Sequence, residues 1–137
     1  MYLSRPAEYG LRAMTYVARM EPKTRVRTSD LAKAIDVPPA YLSKIMRRLT
    51  AAGYLDAQKG HHGGFILARP ASEIRFIDIL RAVDFEPAAN HCLFGLGNCD
   101  ADNPCPLHPE WSILKGQIEE WARSHTLGES LDTKKRP

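Results

Sequence analysis

Three cysteines and one histidine carry the clearest chemical pattern in the chain, Cys92-x6-Cys99-x5-Cys105-x2-His108. All three cysteines of the protein fall in this stretch, among Gly95, Gly97, Asn98, Asp100, Asp102, Asn103 and Pro104, and no hydrophobic period runs through it. Thiolates at such intervals on a pliant segment can close around one centre. Iron–sulfur cores are held by thiolates, and tetrahedral zinc accepts three cysteines and a histidine equally well. Spacing leaves both open, together with the plainer reading of three unligated thiols. An odd cysteine count does not build a closed disulfide framework, and thiols stay reduced in the cytoplasm, where this chain is expected to reside. His108 stands where a fourth ligand would. His91 is a poorer candidate, because adjacency to Cys92 strains chelation by both, and His125 reads as a surface residue. No Gly-x-Ser-x-Gly, phosphate-loop or His-Glu-x-x-His pattern is present, so the reading is a binding protein and not an enzyme.

The flanking elements must position that stretch. Over residues 6 to about 20, Leu11, Met14, Val17 and Ala18 share one helical face, and Glu21-Pro22-Lys23 ends the helix. Arg25-Val26-Arg27 reads as a short extended piece. A second helix is expected to start at a Thr28 or Ser29 cap, with Leu31, Ala32 and Ile35 inward. Asp36-Val37-Pro38 turns the chain into a third helix, where Pro39 suits the first turn and Gly53 the position just past the end. Leu42, Ile45, Met46 and Leu49 form its apolar stripe. Its open face carries Tyr41, Ser43, Lys44, Arg47 and Arg48. Two short helices about a tight turn make a helix-turn-helix.

Strands over 54–58 and 65–68 then flank the turn-rich Lys59-Gly60-His61-His62-Gly63-Gly64, a hairpin in the place of a wing. The two glycines are expected to strip the tip of bulk so that it can approach DNA. Ile74 and Phe76 either add a strand or begin a helix that carries Ile77, Leu80 and Val83 and fades near Asp84. Past the cysteines, the longest helix runs from about 107 to 124. Its Trp111, Leu114, Ile118 and Trp121 are spaced 3, 4 and 3, as in a helix–helix seam. The winged part closes on itself, so that stripe is expected to meet a second copy of the chain. Thr126 and Glu129 form a capping box for a short last helix around Leu127 and Leu131.

The expected fold is therefore mainly α with a small β-hairpin (α+β). Its parts are a winged helix-turn-helix domain over 1–85, a cysteine-bearing loop over 86–106, a dimerisation helix with a short terminal helix over 107–132, and a disordered basic tail over 133–137. With 137 residues, 44% hydrophobic and 26% charged, the chain is an ordinary globular domain with an appendage, which excludes wholesale disorder. No apolar run approaches the ~18 residues of a membrane span, and no membrane partner is expected. Charge is lopsided: residues 1–69 hold 12 Lys and Arg against 5 Asp and Glu, and residues 70–137 hold 7 against 11. A basic front half points to a polyanion, most often nucleic acid.

Four separated motifs resemble, in order, the IscR/NsrR-type winged-helix regulators of bacteria. They are Ala7-Glu8-Tyr9-Gly10-Leu11-Arg12-Ala13, Val37-Pro38-Pro39-Ala40-Tyr41-Leu42, the wing Lys59-Gly60-His61-His62-Gly63-Gly64-Phe65-Ile66-Leu67-Ala68-Arg69-Pro70, and Cys105-Pro106-Leu107-His108 behind the other two cysteines. The resemblance implies a homodimeric transcription factor on double-stranded promoter DNA, with third helices in successive major grooves and wings at minor grooves. By it, the DNA contacts are Ser29, Pro39, Ala40, Tyr41, Ser43, Lys44, Arg47 and Arg48 on the helices, and Lys59, His61, His62 and Gly63 on the wing.

It further implies a [2Fe–2S] or [4Fe–4S] cluster on Cys92, Cys99 and Cys105 whose state, set by redox conditions, nitric oxide or cluster supply, changes promoter affinity. Repression by the cluster-bearing form is the expected direction. The fourth ligand is His108 or the partner subunit's Glu8. The interval from Cys92 to Cys99 is one residue longer than in the cluster-supply branch. A structural zinc in the same ligands, or a cluster-free protein-interaction module, are the competing readings.

Overall fold

The computed structural model describes residues 3–87, 91–132 and 134. Helix α1 (Arg5–Arg19) starts at Ser4, whose hydroxyl accepts the Ala7 N–H at 3.4 Å. Pro6 sits in its first turn, where a missing N–H costs nothing. Helices α2 (Thr28–Ile35) and α3 (Pro39–Ala51) form the helix-turn-helix, joined through Asp36 in the left-handed region at φ 54°. The end of α3 is closed as its sequence indicates. Gly53 takes φ 85°, its N–H reaches the Thr50 carbonyl at 3.0 Å, and the Tyr54 N–H reaches Leu49 at 3.1 Å. That pair of bonds satisfies carbonyls the helix leaves open.

Strands β1 (Leu55–Gln58) and β2 (Gly64–Leu67) pair antiparallel, with Leu55 opposite Leu67 and Gln58 opposite Gly64. Val26 adds a third, short rung. Its N–H donates to Phe65 at 2.9 Å and its carbonyl accepts from Phe65 at 2.8 Å. This pairing corrects the start of α2. The backbone stays extended through Arg27, so Arg27 is the cap residue, and Thr28 and Ser29 already lie inside the helix. No side chain caps that end.

Beyond a 3₁₀ turn at Ala71–Glu73, α4 (Phe76–Ala82) follows directly; of the two options for Phe76, the structure takes the helix. Helix α5 (His108–Ser124) is the longest. The last expected helix is a 3₁₀ turn, Leu127–Ser130, with the Glu129 carboxylate accepting the Thr126 N–H at 2.6 Å. Of the tail, only Lys134 belongs to the described residues.

One core joins these parts. Met14, Leu31, Leu42, Met46, Leu49, Ile77 and Leu80 are fully buried, each stabilising the fold by roughly 1.5–3 kcal/mol relative to exposure. Leu127 enters the same core from the far end of the chain. Its N–H donates to Ile74 at 2.7 Å, and the Phe76 N–H donates to His125 at 3.0 Å. The C-terminal end of α5 is thereby tied to the winged domain, while its N-terminal end carries the cysteine loop.

Candidate nucleic-acid interface and cysteine cavity

The open face of α3 is the one the sequence indicates. Pro39, Ala40, Lys44 and Arg47 are exposed, and Ser29 is exposed in the first turn of α2. Tyr41 is 37% exposed and meets Tyr9 of α1 edge-on, with ring centroids 5.5 Å apart. Ser43 is half-buried and donates its hydroxyl to the Pro39 carbonyl at 3.0 Å. Arg48 is drawn aside to Asp84 past the end of α4, at 2.9 Å. Lys59, His61 and His62 are exposed at the hairpin tip, the two imidazoles edge-on at 5.2 Å.

Gly63 differs from its neighbours: it is buried. A Cβ there would stand 2.3 Å from the Gln58 carbonyl oxygen and 2.9 Å from that of Gly60. At Gly64, which takes φ 131°, a Cβ would stand 2.7 Å from the Val26 oxygen. The glycines are therefore required inside the wing, where the hairpin closes on itself and on Val26. This internal requirement stands beside the reason expected from sequence, a tip thinned for DNA.

Two arginines that sequence reading passed over hold this wing. Arg25 donates to the Asp56 carboxylate at 2.7 Å and to the carbonyls of Asp56 and Gly64 at 3.2 Å each. Arg27 donates through Nη2 to the His61 carbonyl. Their signal in the sequence is two basic residues flanking a valine just before a helix start.

On the other side of the molecule, residues 91–106 contain no helix or strand, apart from a single bridge between His91 and Asn98. The Cys92 N–H donates to Gly97 at 2.9 Å and the Gly95 N–H to Cys92 at 3.0 Å, so the loop turns back on itself. Cys92, Cys99, Cys105 and His108 all line one cavity of about 310 Å³, with Leu96, Asn98, Asp100 and Asn103. The three thiols are free. The Cys99 thiol donates to the His91 carbonyl at 3.3 Å and accepts from the Lys115 ammonium at 3.7 Å. Backbone N–H groups at Phe94 and then Leu96 favour the Cys92 thiolate and hold its pKa below the ordinary thiol value, with a smaller contribution from Cys105. Among the described residues no three His, Cys, Asp or Glu side chains are drawn close enough to hold a single metal ion. The donor types suit a cluster or zinc, since three cysteines and a histidine line one cavity, but their side chains are not gathered there into a ligating arrangement. Glu8 stands half-buried in the first turn of α1 and does not line that space.

The expected seam on α5 divides. Trp121 stacks on Phe76 of α4 at 5.3 Å and 24°, and Trp111 donates its indole N–H to the His91 carbonyl at 2.8 Å. Both tryptophans thus find contacts inside the chain that the spacing did not foretell. Ile118 is half-buried, and Leu114 is 50% exposed. Beside it Ile113, which the 3-4-3 pattern skips, is 62% exposed.

A helix-turn-helix with a wing and a basic front half defines a DNA-binding protein of the winged-helix class. The chain belongs to the Rrf2 family: the family model described as "Iron-dependent Transcriptional regulator" matches residues 3–133. It is therefore a helix-turn-helix transcriptional regulator and not an enzyme. Rv1287 of Mycobacterium tuberculosis (strain ATCC 25618 / H37Rv), which bears an HTH-type transcriptional regulator name, is 35% identical over 130 residues, 94% of this chain and 80% of that one. The HTH-type transcriptional regulator IscR of Escherichia coli O1:K1 / APEC is 28% identical over 96% of this chain and 81% of its own. Among solved structures, CymR, described as the global cysteine regulator of B. subtilis, shares the fold with a TM-score of 0.79 at 22% identity, over 98% of both chains. T. potens IscR gives 0.74 at 26% identity, over 97% of this chain and 88% of that one. No described helix is long and apolar enough to cross a membrane.

Proposed function

We propose that this regulator binds double-stranded promoter DNA as a homodimer, and that its affinity follows the state of an iron–sulfur cluster on Cys92, Cys99 and Cys105. His108 is the fourth ligand, with the partner subunit's Glu8 as the alternative. The observation that carries the reading is the shared cavity: four candidate ligands, spread over seventeen residues of sequence, line one space at the root of α5. When bound, a cluster supplies a centre that gains or loses electrons and reacts with small oxidants.

The chain's own residues do the rest. Cys92, Cys99 and Cys105 anchor the irregular loop, and His108, the first residue of α5, couples it to the helix. Lys44 and Arg47 reach base edges and phosphates in the major groove, and Lys59, His61 and His62 lie at the minor groove. Ile113 and Leu114, together with Trp121, form the face that a second copy covers. Ordering of the loop fixes the root of α5, and with it the spacing of the two α3 helices across the dimer. That is an order–disorder switch read out as promoter affinity, with repression by the cluster-bearing form.

Reconstitution without oxygen, with iron, sulfide and zinc offered together, tests the site. The expected product carries iron and sulfide, shows a visible chromophore, and loses it when any of the three cysteines becomes serine. Uptake of zinc alone would leave a structural zinc in the same ligands as the reading.

A further inference from the structure

The segment that joins α1 to α2 does more than connect them. Its residues Lys23, Arg25 and Arg27 line one side of a cavity of about 430 Å³, and His61, His62 and Gly63 at the wing tip line the other. Val26 is buried and paired with Phe65, and Arg25 and Arg27 on either side of it share the opposite face of this short strand. Arg25 is committed to the wing through its three bonds to Asp56 and Gly64. Arg27 gives one N–H to the His61 carbonyl. A guanidinium carries five donors in a flat fork, so most of its capacity remains. Lys23 is exposed. Asp30 is the one carboxylate lining the cavity; with Arg25 paired to Asp56, Lys23 and Arg27 remain in excess over it. Helix α2 begins beside it with no side-chain cap, so the positive end of its dipole adds to the field.

We infer that this cavity is a binding site for a backbone phosphate of duplex DNA. Lys23 and Arg27 are its charged contacts, and Arg25 is the positioning residue that holds its rim. The excess of fixed cations calls for an anion. The rim is the wing tip itself, so an anion seated here belongs to whatever the wing meets. The site rests on the proposal that the wing meets DNA. It extends the DNA-facing surface from α3 and the hairpin back to the α1–α2 connection. Contacts to phosphate position a protein on the duplex without reading its sequence.

The test uses two short duplexes, one of arbitrary sequence and one selected from a random pool by the full-length protein. Lys23 has φ 66°, a conformation that glycine adopts without strain. Lys23→Gly therefore removes the charge while favouring the native backbone, and misfolding does not explain its effect. The expected result is a several-fold loss of affinity, equal on both duplexes. The slope of log affinity against log salt should shrink by about 0.9, with the preference between duplexes unchanged. Arg27→Gln should do the same and also quicken amide exchange at His61–Gly63. Wild-type affinity and salt slope in both variants would overturn the phosphate site while leaving DNA binding intact. If inorganic phosphate binds in a Lys23-dependent way but duplex affinity does not depend on Lys23, the cavity takes a free anion and the inference fails. A wild-type protein that binds neither duplex at low salt would overturn both this site and the DNA reading beneath it.

Discussion

The ammonium of Lys115 lies 3.7 Å from the sulfur of Cys99, joining the inner face of α5 to the cysteine loop. Lys115 is only 7% exposed, a placement that is costly for a charge unless polar groups receive it. Helix α5 thus grips the loop at two points, through Trp111 on the His91 carbonyl and through Lys115 on Cys99.

Lys115→Met keeps the unbranched apolar stem of the side chain but removes the donor. The helix content should be unchanged. A lost side-chain hydrogen bond is worth about 1 kcal/mol, roughly a fivefold factor. Amide exchange at Cys99 and Asp100 should accelerate by about that much, read by mass spectrometry or NMR. Exchange identical to wild type would show that the contact does not hold the loop.

The two halves of the molecule were unequally legible from sequence. Helices α1 to α3 announce themselves through apolar stripes of strict period and through Pro39 and Gly53 at their ends, all local signals. The wing was legible from its alternation and its glycines, yet the internal reason for the glycines was not. Gly63 is crowded by the hairpin's own backbone at Gln58–Gly60, and Gly64 by Val26, far away in sequence, where no local pattern reports a third strand one residue long. Lys115 and Ile113 were missed because a lysine reads as surface, and because a 3-4-3 rule selects Leu114 and passes its neighbour. The cysteines were found by type and spacing, but that they line one cavity is tertiary information.

Gly63→Ala tests the internal role of the wing glycines. The added carbon would press on backbone atoms of Gln58, Lys59 and Gly60, none of which can swing aside as a side-chain end would. Overpacking of this kind costs typically 1–3 kcal/mol. The expected outcome is a lower thermal midpoint together with weaker duplex binding. Unchanged stability with weakened binding would instead place Gly63 directly against DNA.

Acid should loosen the far end of the chain. The Glu129 carboxylate accepts the Thr126 N–H and then meets His125 at 2.9 Å, and both hold its pKa below the ordinary carboxylate value. Its folded pKa lies below its unfolded one, so the stabilisation is complete above the unfolded value. It is lost as pH falls below the ordinary carboxylate range and through the lowered folded value. Thermal midpoints measured downward from neutral pH should therefore fall less steeply for Glu129→Gln than for wild type. Parallel curves would remove Glu129 from the account.

A second copy should cover Ile113 and Leu114. Changing both to glutamate places charge on a face that is 62% and 50% exposed in the single chain, so the fold should survive. Sedimentation should then report a monomer for the variant and a dimer for the wild type. Equal masses for variant and wild type would move the interface elsewhere.

The account's central claim is that the cysteine cavity governs promoter affinity. The most direct measurement is the affinity of one protein for one duplex, selected from a random pool, before and after anaerobic reconstitution with iron and sulfide, at fixed salt. The account predicts at least about a tenfold difference, ~1.4 kcal/mol, with the reconstituted form binding more tightly and Cys92→Ser abolishing the difference. Equal affinities for the two forms, or a difference that persists in Cys92→Ser, would contradict it.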